Sequence, residues 1–382
     1  MADTGGGHRS AAQALTEAFA EEDPLAEIVM VDALRHHAPF PINHIHRTYR
    51  PLIHHGRWLW SAAWRFSRNR GRVERIRRVF HPVVQRRLTA LYRSQKPDLV
   101  ISVHPLLNHV PLDILRRTLP GVPFATIVTD LVSVHPLWLC PDVDLLCVPT
   151  EPAGQLALGA GIPREKLRVS GLPVSLKFAL SASKSEVEAA GNRPERRRSL
   201  RLSADLPLVL LASGGEGMGP VADIARALAQ TFQQDGHPAG QLAIICGCNH
   251  ALRRQLEAVR WQIPVRVVGF VDNMPEWMGA ADLLVTKAGP GTLSEAFVMG
   301  LPVLLSGFIP GQEEGNVPYV VDNGAGAYEP EPERLAARIA EWLRPGNPAL
   351  AQMAARARAL AKPHAARTIV RDLLALLTPG DC

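Results

Sequence analysis

The sequence has few aromatic residues, few cysteines and no long hydrophobic run. Aromatic residues make up 5% of its 382 residues, and there are five cysteines. The cysteines are scattered and odd in number, which indicates a reducing compartment. No uninterrupted apolar stretch approaches the ~18 residues of a transmembrane helix. These absences exclude a disulfide-rich scaffold and a bundle of transmembrane helices as the class of protein.

Hydrophobic residues nevertheless make up 47% of the chain, enough for two cores at a rough ~150 residues per domain. Short runs that are apolar throughout predict strands buried on both faces, with helical patterns such as 219–234 and 291–299 between them. The predicted strands are 27–31, 98–102, 124–128, 144–148, 167–171, 208–212, 242–246, 265–269, 282–286 and 302–306. The pattern predicts two Rossmann-like, doubly wound α/β domains that face a cleft. The predicted division is a domain over 1–177, a polar linker over 178–204, a second domain over 205–345 and a helical segment over 346–382.

Glycine-rich turns follow two strands of the second domain, where an open α/β sheet binds its ligands. Gly289, Pro290 and Gly291 open a helix whose free N–H groups suit a phosphate. Thr292 and Glu295 have the spacing of a capping box, but the Glu295 carboxylate also suits the two hydroxyls of a ribose. Both interpretations stay open.

Other loops of the second domain are candidates for the same ligand. Gly214 and Gly215 follow strand 208–212 and are predicted to cradle phosphate through backbone N–H groups. Phe270 either frames a base or belongs to the core. Gln312, Glu313 and Asn316 suit sugar hydroxyls, although an ordinary polar loop explains them as well.

Several long motifs occur in an order that resembles one family. They are "DTGGGHR" at 3–9, "TDLVSVHPLW" at 129–138, "VPTE" at 148–151 and "TKAGPGTLSEAFVMGLPVLLSGFIPGQEEGNVPYVVDNGAG" at 286–326. They resemble monogalactosyldiacylglycerol synthases and related processive diacylglycerol glucosyltransferases. The resemblance implies the GT-B fold, a UDP-sugar donor, no cofactor and no metal. In that family a strand precedes the glycine-rich loop, so the first strand is expected to be missing from this sequence.

The resemblance makes His8 the candidate general base, since a neutral imidazole there can take the proton of an attacking hydroxyl. Asp130 follows strand 124–128 and either orients His8 or serves as the base itself. His135 and Trp138 are expected to line the acceptor channel, with packing as the alternative for Trp138. A structural cap is the alternative for His8.

A basic segment is the other notable feature, because residues 35–93 hold 14 arginines and one acidic residue, Glu74. Trp58, Trp60, Trp64 and Arg65 lie within it. Arginines with aromatic residues suit an anionic lipid surface, a nucleic acid or simply a solvated face. A diacylglycerol acceptor favours the lipid, so the prediction is a peripheral protein on the cytoplasmic face of a membrane that binds no nucleic acid.

The predicted function is transfer of a hexose from a UDP-sugar to diacylglycerol with inversion, with galactose preferred over glucose. A UDP-sugar epimerase of the same fold is the first alternative, because it would share the nucleotide site. A dinucleotide-dependent oxidoreductase is the second, because Gly5, Gly7 and Asp32 approximate the dinucleotide-binding fingerprint. Asp142 and Asp144 resemble a metal-binding Asp-x-Asp motif but are interpreted as residues at a strand entry.

Overall fold

The computed structural model describes residues 1–2, 6–38, 42–44, 57–67, 69–182, 192–215, 217–234 and 236–378. Part of the basic segment, residues 45–56, therefore lies outside the described residues, as does Gly5.

Helices alternate with short strands along the chain. The helices are α1 Gly6–Glu22, α2 Ala33–His37, α3 Arg57–Ser67, α4 Arg70–Gln95, α5 His109–Thr118, α6 Glu151–Gly159, α7 Leu176–Ala182, α8 Arg193–Ser199, α9 Val221–Phe232, α10 His250–Glu257, α11 Met274–Ala280, α12 Pro290–Val298, α13 Asn316–Asp322, α14 Pro332–Trp342, α15 Ala349–Leu360 and α16 Ala365–Ala375. The strands are β1 Val100–Ser102, β2 Phe124–Ile127, β3 Leu145–Val148, β4 Leu167–Val169, β5 Leu208–Ala212, β6 Gln233–Gln234, β7 His237–Pro238, β8 Gln241–Ile245, β9 Val265–Val268, β10 Leu283–Lys287, β11 Val303–Gly307 and β12 Gly326–Tyr328.

The chain forms two compact units. The first comprises residues 1–176, 309–315 and 364–382, and the second comprises residues 177–308 and 316–363. The predicted boundaries at 177, 204 and 345 stay a prediction. Part of the stretch expected to be linker is helix α8, whose Arg197 is buried and donates to Asp282 at 2.7 Å. That helix packs within the second unit.

The first unit is built on a parallel sheet of order β1-β2-β3-β4. Successive residues of β3 point to opposite faces, as strand geometry requires. Leu146 packs in a core with α4 and α5, whereas Leu145 and Cys147 pack in a core with α1 and α16. Burial on both faces explains why these runs are apolar throughout.

The end of the chain belongs to the first unit. Ile369, Val370 and Leu373 of α16 are fully buried against α1, and Arg367 and Arg371 pair with glutamates of α1 at its surface. Exposed ion pairs contribute little, so the buried apolar residues hold this helix.

The predicted strand 27–31 is wrong. These residues have no regular secondary structure, within the described chain no strand pairs with them, and Ile28, Val29 and Met30 are exposed. The carbonyl of Val31 accepts a hydrogen bond from the Met1 ammonium at 2.8 Å. An apolar run becomes a strand only where a neighbour satisfies its backbone groups.

The second unit is built on a parallel sheet of order β12-β11-β10-β5-β8-β9, with the short antiparallel pair β6–β7 beside it. Its central strands β5, β8 and β10 are almost completely buried, and α9 and α14 pack on one face. The other predicted strands of both units are confirmed to within two residues. The predicted helical segment 346–382 contains two helices, α15 and α16, which Pro363 separates.

Candidate active site

His8 lies at the carboxyl end of the first sheet. It sits in the first turn of α1, half-buried, and its Nδ1 is 2.9 Å from Thr129 Oγ1, two residues beyond β2. Its ring meets the ring of His104 edge-on, with centroids 4.6 Å apart. The two strands β1 and β2 therefore position the side chains around His8.

His104 is a buried residue that sequence reasoning missed. Its Nδ1 accepts a hydrogen bond from the Leu106 N–H at 3.2 Å. Burial, helped by His8 and the chain's ammonium group, holds its pKa well below the usual value. His104 is thus a neutral imidazole against one side of His8, and a lone histidine after an apolar run carried no signal of this.

Asp130 is buried and bonded away from His8. Its carboxylate accepts from Trp138 Nε1 at 2.7 Å and from Gln312 Nε2 at 3.4 Å. Desolvation raises its pKa from 3.8 to about 6, although the bonds from Trp138 and Gln312 oppose this. The idea that Asp130 orients His8 is wrong, because Thr129 holds His8 instead. Trp138, fully buried, orients Asp130.

His135 connects this cluster to the basic segment. Its Nδ1 accepts from the Leu137 N–H, and its Nε2 lies 3.0 Å from Ser67 Oγ at the end of α3. The Trp64 ring meets the His135 ring with centroids 4.7 Å apart. Helix α3 is therefore fixed by its last turn to the loop that carries Trp138.

The segment 309–315 packs within the first unit. Gly315 donates its N–H to Ser133 Oγ at 3.1 Å, and the Trp64 indole lies against Gly311. Glu313 is buried and accepts the Ile309 N–H at 2.9 Å, which closes its own loop. Gln312 and Glu313, both predicted to bind the donor sugar, are thus placed around Asp130.

Helix α3 turns its other side outward. Trp58 and Phe66 are 75% and 56% exposed, and Arg65 is exposed as well. Trp60 and Trp64 are half-buried, with ring centroids 6.0 Å apart. The four predicted membrane residues therefore divide into an outer pair and an inner pair. Among the described residues, none of the helices has both the length and the apolar character that crossing a membrane requires.

Helix α12 of the second unit does not begin at the residue that the capping-box interpretation predicts. Its N-cap is Gly289 and no side chain caps it, so Thr292 is already the third helical residue. Pro290 sets this start, because proline is favoured at the first helical position. Gly291 and Thr292 keep N–H groups that no cap uses. The capping-box reading of Glu295 is wrong.

Glu295 has no hydrogen-bond or ion-pair partner among the described residues and is half-buried. Desolvation raises its pKa from 4.5 to about 8. A carboxyl group kept in such a place without a partner is typical of a functional site rather than a structural one.

The turn after β5 approaches the turn after β8. Gly214 has a φ of +69°, and the Gly215 carbonyl accepts the Cys248 N–H at 2.8 Å. Gly247 has a φ of +56°, and a Cβ there would collide with the Gly215 carbonyl. Glycine is therefore required at this close approach. Nearby Phe270, after β9, is 70% exposed, which excludes the core interpretation.

Asn316 begins α13 and is completely buried. Its Nδ2 donates to the Ala288 carbonyl at 2.8 Å, which fixes the turn before α12. Its Oδ1 and the Thr286 hydroxyl are buried without a hydrogen-bond partner in the described chain. Polar atoms in this condition need an explanation, and a ligand that binds there supplies one.

Comparison with known proteins identifies the chain. A family model described as "Monogalactosyldiacylglycerol (MGDG) synthase" matches residues 8–174, and "Glycosyltransferase family 28 C-terminal domain" matches residues 219–370. A probable monogalactosyldiacylglycerol synthase of Glycine max is 41% identical over 98% of this chain and 70% of its own length. Monogalactosyldiacylglycerol synthase 1 of Arabidopsis thaliana is 39% identical over 98% of this chain and 69% of its own.

The chain belongs to the monogalactosyldiacylglycerol synthase family.

Solved structures agree on the fold. MurG of Acinetobacter baumannii superposes with a TM-score of 0.53 at 19% identity, over 76% of this chain and 77% of its own. MnaA of S. aureus with UDP superposes with a TM-score of 0.57 at 17% identity, over 76% and 80%. Two Rossmann-like α/β units of the GT-B type are confirmed.

The predicted family and a glycosyltransferase activity are likewise confirmed by these relatives and by the two glycosyltransferase models. The predicted location on the cytoplasmic face of a membrane is wrong, because the curated relatives are named as chloroplastic enzymes. Nothing in the comparisons favours an epimerase or an oxidoreductase beyond the shared fold.

Proposed function

We propose that this member of the family transfers galactose from UDP-galactose to the free hydroxyl of diacylglycerol, with inversion at the anomeric carbon. The names of the relatives support galactose and diacylglycerol. Solved structures of the same fold that contain UDP or UDP-glucose support a UDP-sugar donor.

One observation in the second unit carries the proposal: Glu295 is unpartnered and half-buried one turn beyond the uncapped start of α12. A UDP-sugar offers both matching groups, since its ribose hydroxyls donate to a carboxylate and its diphosphate accepts from helix N–H groups. Phe270, exposed beyond β9, supplies a ring on which the uracil stacks. Gly214, Gly215, Gly289, Gly291 and Thr292 complete the proposed donor site through their backbones.

The chemistry requires a base for the acceptor. His8 takes the proton of the acceptor hydroxyl, whose oxygen then forms a bond to the anomeric carbon. The bond from that carbon to the phosphate oxygen breaks, and its electron pair leaves with UDP. The uncapped N–H groups of α12 stabilise the departing charge. Asp130 is the second candidate for the base, because its pKa of about 6 suits proton transfer near neutral pH.

The acceptor dissolves in a membrane, and α3 supplies the surface that meets it. Trp58 and Phe66 point outward with Arg65 beside them. Aromatic rings with arginines suit an anionic lipid interface, where each basic residue contributes roughly 1 kcal/mol. Trp60, Trp64, His135 and Trp138 connect this helix to Asp130 and are the proposed inner wall of the acceptor site. No metal and no further cofactor enters the proposal.

The test is to incubate the enzyme with dioleoylglycerol in vesicles that contain phosphatidylglycerol, together with UDP-galactose or UDP-glucose. The expected product is a galactolipid of the correct mass. It should be lost in His8→Ala and Glu295→Ala but retained in Glu333→Ala, which removes an exposed carboxyl from the first turn of α14.

Release of UDP or epimerisation of the sugar without glycolipid would contradict the proposal. Preferential use of UDP-glucose would reject galactose and keep the rest. The coupling constant of the anomeric proton in the product decides whether the sugar is inverted.

A further inference from the structure

We propose that Lys287 binds the diphosphate of the donor and stabilises the phosphate as it leaves. The inference rests on the proposed donor site and adds to it a cationic side chain. The glycine turns of the proposed site supply backbone N–H groups, and Glu295 supplies a carboxylate. Neither of these groups carries the full positive charge that would bind the phosphates.

Lys287 ends β10 beside a shift in strand register. Thr286 is paired with Leu305 of β11, but Lys287 is paired with Gly307, so Ser306 of β11 is the extra residue between the two pairs. Such irregularities are frequent beside functional sites. Lys287 is thus the last residue of β10, at the edge where this type of sheet binds its ligands.

The side chain then crosses to the neighbouring strand. A Cβ built on Gly214 would lie 3.6 Å from Lys287 Cε, so the lysine stem passes over the turn that follows β5. Strands β5 and β10 are hydrogen-bonded neighbours. A Cβ at Gly214 would be in ordinary van der Waals contact with the lysine, and the φ of +69° there favours glycine.

The backbone after Lys287 leads directly to α12. Its carbonyl accepts the Gly289 N–H at 2.7 Å, and α12 begins at Pro290 with N–H groups that no cap uses. The lysine therefore precedes the uncapped helix start by three residues. An ammonium group acts as a point charge that binds phosphate without demanding a fixed geometry.

A second observation indicates that a ligand belongs at this place. Thr286 Oγ1, one residue before the lysine, and Asn316 Oδ1, on the side chain that holds the Ala288 carbonyl, are both buried without a partner in the described chain. Within the described part of the second unit, one unsatisfied atom thus belongs to the residue before Lys287, and the other belongs to the side chain that holds the residue after it. A polar ligand at the end of β10 would satisfy them.

The role in the reaction follows from the charge. When the bond between the anomeric carbon and the phosphate oxygen breaks, the electron pair stays on that oxygen and the diphosphate gains one negative charge. A cation stabilises this state more than the ground state, so it lowers the barrier as well as binding the donor.

The experiment is calorimetric titration with uridine, UMP and UDP of the wild type, Lys287→Gln, Lys287→Arg and the control Lys362→Gln. The control removes one positive charge from an exposed lysine of the same unit. In Lys287→Gln we expect UDP to bind about 10- to 100-fold more weakly while uridine affinity changes less than about 2-fold. Lys287→Arg should recover most of the UDP affinity, and the control should match the wild type.

Uridine binding also reports whether each variant is folded. An equal loss of uridine and UDP affinity in Lys287→Gln, or no loss of either, would overturn the role of Lys287 while leaving the proposed function in place. Should Lys287→Gln fail to fold, Lys287→Met takes its place, because it also removes the charge and should show the same selective loss of UDP affinity, whereas a merely structural lysine predicts no selective effect on UDP. Absence of UDP binding to the wild type would overturn both.

Discussion

Asp144 in the first unit and Asp282 in the second hold the amino ends of their sheets in the same way. Asp144 precedes β3, accepts the N–H of Phe124 at the start of β2 and pairs with Arg116. Asp282 precedes β10, accepts the N–H of Leu208 at the start of β5 and pairs with Arg197. Each aspartate connects a strand, its neighbour and a helix.

The two units differ at the carboxyl ends of their strands. In the first, the ionisable side chains of His104, which contacts His8, and of Asp130 are buried and have shifted pKa values. In the second, glycine turns and an uncapped helix present backbone groups, and the pKa of Glu295 is strongly raised. The amino ends therefore stabilise the sheets, whereas the carboxyl ends carry the residues to which proton transfer and binding of an anionic ligand are assigned in the proposed function.

The largest expected effect concerns the carboxyl end of the first unit. If Asp130 rather than His8 is the base, Asp130→Asn should lower the rate of galactolipid formation about 10²- to 10⁴-fold, the range for loss of an acid–base group. UDP affinity should stay unchanged, because Asp130 belongs to the other unit. Turnover and calorimetry with UDP measure the two effects, and an unchanged rate would remove Asp130 from the mechanism.

The same substitution has an effect of opposite sign on stability. The folded-state pKa of Asp130 is raised from 3.8 to about 6, so ionisation of this carboxyl disfavours the folded state. The wild type should lose stability as the pH rises from about 4 to 6, and Asp130→Asn should lose less over that range. Thermal unfolding at several pH values checks this, while activity should fall as the pH falls below about 6.

The paired aspartates allow a direct comparison of burial. Arg197 and Asp282 are 8% and 18% exposed, whereas Arg116 and Asp144 are 36% and 30% exposed. Arg197→Ala should cost about 3 kcal/mol, because it removes the more buried partner of Asp282, although Arg193 still pairs with that carboxylate at 3.1 Å. Arg116→Ala should cost about 1–2 kcal/mol, since water reaches that pair. Denaturant unfolding measures both, and equal costs would show that burial does not distinguish the two pairs.

Glu295→Gln tests the donor end of the second unit. The substitution removes an acceptor for the ribose hydroxyls, so UDP should bind about 10- to 100-fold more weakly. Stability should change in the other direction, because the folded-state pKa is raised from 4.5 to about 8 and ionisation of Glu295 disfavours folding. The stability of the wild type should therefore fall as the pH rises from about 4.5 to about 8. Glu295→Gln should lose less over that range, and Glu333→Gln should change neither property.

The smallest expected effect is a shift in the pH profile. Trp138→Phe removes the indole N–H that donates to Asp130 at 2.7 Å. A hydrogen bond to a charged group contributes about 1.5–3 kcal/mol, which corresponds to roughly one to two pKa units. The acid limb of the activity profile should move to higher pH by that amount. An unchanged acid limb, with a lower rate at every pH, would indicate that Trp138 acts through packing alone.

Strands were predicted correctly where an apolar run also has a neighbouring strand with which it pairs. The run 208–212 is β5 in full, because a central strand buried on both faces is apolar at every position. The run 27–31 is apolar after Glu27, yet it forms no strand, because an apolar run does not show whether a neighbouring strand is present to pair with it. The short strand β12, with a glycine and a half-exposed face, carries too little pattern to be predicted.

The residues of the candidate site were predicted from sequence motifs, so residues that belong to no motif were missed. Thr129 and His104 matter because neighbouring strands end beside His8, which is a property of the sheet. Lys287 was not among the predicted residues, because its approach to the Gly214 turn depends on the pairing of β5 with β10. The spacing between Thr292 and Glu295 fits a capping box in which Thr292 is the N-cap. The helix instead begins at Pro290, two residues before Thr292.

The central claim is that the two carboxyl ends divide the reaction, with the donor bound by the second unit and the proton removed by the first. The most direct test measures UDP affinity and single-turnover galactose transfer in His8→Ala and Glu295→Ala. The account predicts that His8→Ala binds UDP as the wild type does but transfers almost no galactose, and that Glu295→Ala binds UDP more weakly. Loss of UDP affinity in His8→Ala, with Glu295→Ala binding normally, would contradict it.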